Sequence, residues 1–155
     1  MSHETRLAEL GITLPEVAAP VAAYVPAVRT GNYIYTSGQL PFTAGTLPAT
    51  GKVGEGDGLV SPDDAQVYAR TCALNALAAV RSVTGSLDAI ARVIKVVGFV
   101  ASDPAFTGQP AVINGASSVL GEIFGDAGVH ARSAVGVTVL PLDSPVELEL
   151  VVELV

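Results

Sequence analysis

Near the C-terminus Val146, Leu148, Leu150 and Val152 alternate with Glu147, Glu149 and Glu153. A period of two puts successive side chains on opposite faces of a strand, so this segment belongs in a sheet with one face buried and the other polar. The stretch before it repeats the period, with Val135, Val137 and Val139 on one side and Arg132, Ala134, Gly136 and Thr138 on the other. Between the two, "PLDSP" at 141–145 reads as a turn. Together they predict a β-ribbon whose valine side packs on helices, and whose small-residue side is left for another chain to cover. A tight hairpin register would set Arg132 near Glu153 and Glu147 near Thr138.

Two segments carry the helical period instead. Ser61 is a natural N-cap, Pro62 suits the first helical position, and Asp63 and Asp64 favour the positive end of the helix dipole. Ala65, Ala69, Cys72, Ala76, Leu77 and Val80 then form one apolar stripe up to about Thr84, where Gly85 stops the helix. A second helix is predicted from about Pro110 to Phe124, with Val112, Ala116, Val119, Leu120 and Ile123 on one side and "GDAG" as its stop. Two short strands divided by "TGN" are expected between Tyr24 and Leu40, and a strand over 91–102. Residues 43–60 are glycine-rich without a period and read as a long surface loop, functional or mobile.

In order this is ββ–α–β–α–ββ. The expected fold is an α+β two-layer sandwich, a mixed and mostly antiparallel sheet with two helices on one face. Residues 1–20 read as an N-terminal arm, a short helix closed by Gly11 and then an extended segment with Pro15 and Pro20. Residues 21–155 are expected to form a single domain.

Composition narrows the function classes. Half of the 155 residues are apolar and 15% are charged, more apolar material than one small monomer needs inside, so part of it is expected between subunits. No apolar run approaches the ~20 residues of a membrane span, and the acidic start does not resemble a secretion signal. A cytoplasmic protein with no membrane partner is the expectation. A net charge of −7 and the lack of tryptophan argue against a nucleic-acid partner. The lone Cys72 reads as a core residue, and with His3 and His130 the only histidines, no metal and no cofactor are expected.

Arg132 then needs an account, because a guanidinium placed in an interface must meet a planar anion. Either a protein carboxylate such as Glu153 or the carboxylate of a small ligand could serve. His130, two residues before it and on the same face by alternation, is a candidate general base.

Three blocks, "YVPAVRTGNYIYTSGQLP" at 24–41, "VINGASSVLGEIF" at 112–124 and "ARSAVGVTVLPLDSPVELEL" at 131–150, resemble the RidA (YjgF-type) proteins. These are enamine/imine deaminases, formerly named L-PSP endoribonucleases. The resemblance implies a chorismate-mutase-like sandwich assembled as a homotrimer with clefts between subunits. It also implies cofactor-independent hydrolysis of reactive 2-imino or enamine acids to 2-keto acids and ammonia. Position by position, it implies that Arg132 holds the substrate carboxylate, Glu147 orients water, and Tyr24 and Asn114 lie in the site. Gly31 is then the turn glycine approaching the ligand, and Ser37 begins the segment lining the cleft. Where many members of that family carry cysteine, this chain has Ala134, so no thiol can act there. A non-catalytic trimeric sensor of 2-keto acids and an endoribonuclease are the rival readings.

Overall fold

The protein is described by a computed structural model that covers residues 1–17 and 23–155; Pro20 of the predicted extended segment lies outside the described residues. Helix α1 (His3–Glu9) is capped by Ser2, whose side chain accepts from the Thr5 amide. Strands β1 (Ala27–Thr30) and β2 (Tyr33–Thr36) form the expected hairpin, with Gly31 at φ +55° in its two-residue turn. A residue with a Cβ is strained in that left-handed region, which is why glycine sits there.

Helix α2 (Pro62–Thr84) begins and ends where its sequence says it should. Ser61 accepts from the Asp64 amide, and Gly85 closes the helix in the left-handed conformation. The predicted alanine–leucine stripe is fully buried. Strand β3 (Ile90–Ala101), helix α3 (Gln109–Phe124), and strands β4 (Ala131–Val137) and β5 (Val146–Leu154) complete the fold. The sheet order is β1-β2-β5-β3-β4, antiparallel except for the parallel β3–β4 pair. With α2 and α3 packed on one side of it, this is the expected α+β two-layer sandwich with a mixed sheet.

Two predictions about the ribbon fail. β4 and β5 are not a hairpin, since β3 lies between them. Helix α3 carries the chain from β3 back to a parallel neighbour, β4, and β5 then crosses to the other side of β3. Arg132 therefore pairs with Val96, while Glu153 lies opposite Tyr33 and Arg92, two strands away. Alternation specifies which side chains share a face, not which strand lies next door.

The faces of β4 are also reversed. Arg132, Ala134 and Gly136 pair with Val96, Gly98 and Val100, the β3 residues buried beneath the helices. The small residues thus face α3. A Cβ on Gly136 would press on the Gln109 amide and the Ser102 hydroxyl, so the space is used within the chain. Val135 lies on the open side, 44% exposed.

The 43–60 loop is more anchored than predicted. Val53 is fully buried; its amide donates to the Ala101 carbonyl and its carbonyl accepts from Asp103, pinning the loop to the end of β3. Its other hydrogen bonds include one from Gly51 to the Asp143 carbonyl. The N-terminal segment is also tied to the domain, since Leu7 and Leu14 enter the core and Arg6 donates to the Glu122 carbonyl at 3.0 Å. No helix of the described residues is long and apolar enough to cross a membrane.

Candidate functional site

Arg132 stands near the start of the edge strand β4 and reaches under it to α3. Its Nη1 donates to Asn114 Oδ1 at 2.8 Å and to Ser117 Oγ at 3.2 Å, and its Nη2 donates to the Pro110 carbonyl at 3.3 Å. Asn114 and Ser117, one helical turn apart, share the face of α3 that looks at β4. All three acceptors are neutral, and no salt bridge among the described residues involves Arg132. The guanidinium is oriented but not neutralised.

A shallow depression of about 340 Å³ opens beside it, lined by Ser117, Gly121, Gly128, Val129, His130 and Arg132. His130 closes one end, with Nδ1 2.6 Å from the Gly128 carbonyl and Nε2 2.9 Å from Ser117 Oγ. Sequence reasoning does not single out Ser117; the one signal for it is its three-residue spacing from Asn114.

The other candidates gather elsewhere. Ser37 donates from Oγ to the Val25 carbonyl at 2.6 Å, and its amide donates to the Pro26 carbonyl at 2.8 Å. These bonds hold the bend carrying Tyr24, which is 63% exposed. Beyond Ser37 the chain pairs with β5 through Gln39 and Leu148, which brings Gly38 beside Glu147. A Cβ on Gly38 would collide with the Glu147 carboxylate, so that glycine is needed for the acid to lie where it does. Asn75 of α2 fixes the following segment by donating to the Leu40 and Phe42 carbonyls.

Glu147 pairs with Phe99 on the open face of the sheet, and burial, with Glu149 beside it, raises its carboxyl above the usual glutamate range. Gly31 sits at the β1–β2 turn, at the other end of the hairpin from Ser37. Within one chain, then, Ser37 and Glu147 form one group, with Tyr24 exposed on the bend that Ser37 holds, Arg132 and Asn114 form a second, and Gly31 stands apart. The two groups are on opposite faces of the sheet. Among the described residues no three His, Cys, Asp or Glu side chains converge as a metal site would require.

Residues 4–154 match the family model described as "YjgF/chorismate_mutase-like, putative endoribonuclease". The chain belongs to this family. A Trypanosoma cruzi relative, protein TCP17, is 42% identical over 149 residues, 96% of this chain and 91% of that protein. A crystal structure of a protein of unknown function from Agrobacterium tumefaciens is 46% identical, with a TM-score of 0.89 over 99% of this chain and 92% of that one. E. coli TdcF, solved with bound serine, is more distant at 26% identity, with a TM-score of 0.65 over 91% and 94% of the two chains. The mixed five-stranded sheet with its helices matches the fold of these YjgF-family neighbours.

Proposed function

We propose that this YjgF-family protein hydrolyses reactive 2-imino or enamine acids to 2-keto acids and ammonia, in clefts between the copies of a homotrimer. The observation that carries this reading is the Arg132 guanidinium, held in place by neutral acceptors and facing an open depression without a carboxylate to satisfy it. A small carboxylate would complete it through charge-assisted hydrogen bonds. The serine bound to TdcF is a ligand of that chemical kind.

In this scheme Arg132 holds the substrate carboxylate, and Glu147 of a second copy faces the imine carbon. Burial, with Glu149 beside it, raises the Glu147 carboxyl, the direction that favours its exchanging protons with water. Glu147 takes a proton from water as the oxygen adds to the imine carbon, and returns a proton to the nitrogen. In the carbinolamine so formed, Glu147 then takes the hydroxyl proton and passes it to the amino nitrogen as the C–N bond breaks, releasing ammonia and leaving the keto group. Tyr24, Ser37 and Gly31 would line the same cleft, with Asn114 keeping Arg132 in place. No metal or cofactor enters the scheme, because the imine is itself electrophilic, and an enamine acid becomes that imine by moving a proton from nitrogen to Cβ through water.

The test generates the imine in situ with an amino-acid oxidase or a threonine dehydratase and follows keto-acid formation. Wild-type protein is expected to accelerate it, and Arg132→Ala to lower the effect roughly 10- to 100-fold, the loss of one or two charge-assisted bonds. An unchanged rate in the variant overturns the proposal. The placement of Arg132 and Glu147 on opposite faces of one chain favours a second reading, a carboxylate sensor without chemistry. It predicts saturable 2-keto acid binding, lost in Arg132→Ala, with no acceleration of imine hydrolysis.

A further inference from the structure

The hydrogen bonds around His130 admit one arrangement of protons when the ring is neutral. The Gly128 carbonyl can only accept, so Nδ1 carries the ring proton and donates to it. Nε2 is then bare and accepts from the Ser117 hydroxyl at 2.9 Å. That leaves the Ser117 oxygen lone pairs for Arg132, whose Nη1 can only donate. The relay therefore runs from Arg132 through Ser117 and His130 to the Gly128 carbonyl, and the hydroxyl hydrogen of Ser117 points away from the depression's guanidinium end.

Protonation of His130 reverses one link. Nε2 becomes a donor to Ser117 Oγ, which already receives Arg132, so the Ser117 hydrogen must rotate off the ring and becomes available to a ligand. A second positive charge also appears beside the guanidinium, with only one hydroxyl oxygen between them. Two cations so placed repel unless an anion occupies the depression, so the proton and the anion favour each other.

We propose that His130 is a positioning residue of the Arg132 site, which couples carboxylate binding to its own protonation through Ser117. The inference rests on the carboxylate-site reading above and adds a condition to it: the site binds more tightly when His130 is protonated. The other charged groups near His130 do not supply this effect. Arg132 lies two residues further on, near the start of β4, and Arg92 and Lys95 lie on β3 beside it, so none of the three brings a negative charge. Asp126 lies in the preceding 3₁₀ turn, and Glu122, the one charged residue of α3, is paired with Arg70 at 2.9 Å. Among the described residues no carboxylate lines the depression.

The test is calorimetric binding of pyruvate, ionised throughout, at about pH 8 and about pH 5.5. Wild-type affinity is expected to rise roughly fivefold or more on acidification, a typical coupling between linked sites. His130→Gln keeps an acceptor for Ser117 but does not titrate, so it should bind at both pH values with that extra gain removed, and Ser117→Ala should reduce the gain to the part carried by charge alone. The comparison with His130→Gln separates His130 from Glu147, whose titration is common to both proteins. His130 and His3 are the only histidines, so NMR reads each directly. Pyruvate should raise the titration midpoint of His130 and leave that of His3, which bonds the Ile90 carbonyl, unmoved. Equal pH dependence in wild type and His130→Gln, or a His130 midpoint unmoved by saturating pyruvate, overturns this coupling and leaves the carboxylate site standing. Absence of pyruvate binding at both pH values overturns both.

Discussion

The two faces of the one sheet solve different problems. On the helix side, Ile34, Val93, Val96, Val100, Val146, Leu148, Leu150 and Val152 are buried by α2 and α3 of the same chain. Gly98 is so closely covered that a Cβ would collide with the Ile113 side chain, and Gly115 of α3 leaves room only for the Gln66 carbonyl of α2. That side is complete in a single copy. On the open side Val28, Tyr33, Tyr35 and Val135 remain exposed, with Glu147 and Glu149 among them. Apolar groups and carboxylates are left together on this uncovered face, where the proposed homotrimer would set another copy. The lesson is that the chain's own elements account for folding, while the reading proposed for its function requires a neighbour.

The largest effect should come from the helix side. Leu150→Ala removes a side chain that is 1% exposed and should cost about 2–5 kcal/mol, read as a fall in the urea midpoint with an unchanged slope. A loss under about 1 kcal/mol would mean that this face is not the self-sufficient one. Next comes the open side, where Tyr35→Asp should leave the circular dichroism of the fold intact and lower the mass measured by sedimentation. Loss of secondary structure together with mass would erase the distinction between the faces, and an unchanged mass would remove the assembly from the proposed mechanism.

The smallest effect concerns Glu147. Burial, and Glu149 after it, raise its carboxyl in the folded state, so its ionisation disfavours folding. The stability tied to its protonated form is fully present below the unfolded glutamate range and is lost as pH rises through the folded value. Glu147→Gln should therefore raise Tm slightly at neutral pH, with the gain vanishing toward acid. A gain that persists in acid would assign the effect to packing.

Much of the helix side is legible in the sequence because its signals are local. Ser61, Pro62 and Gly85 mark the bounds of α2 through capping chemistry, and the spacing of Val112, Ala116, Val119 and Ile123 fixes the buried side of α3. The identity of the site's candidates is legible through the "ARS" and "VELEL" blocks, but their arrangement is not. Gly38 and Ser117 escape because each matters through a contact with a residue distant in sequence, Glu147 at the start of β5 and His130 beyond the 3₁₀ turn.

Sequence alone determined the element order, the caps and which residues share a strand face, since all of these follow from backbone periods of two and 3.6 and from side chains bonding nearby amides. Only the tertiary structure decided that β3 separates β4 from β5. The same pairing turned Arg132 and the small residues inward to α3, and placed Glu147 on the far face. Strand order is settled by how the α3 connection and the helix layer close one common core, a balance of distant contacts that no local period encodes.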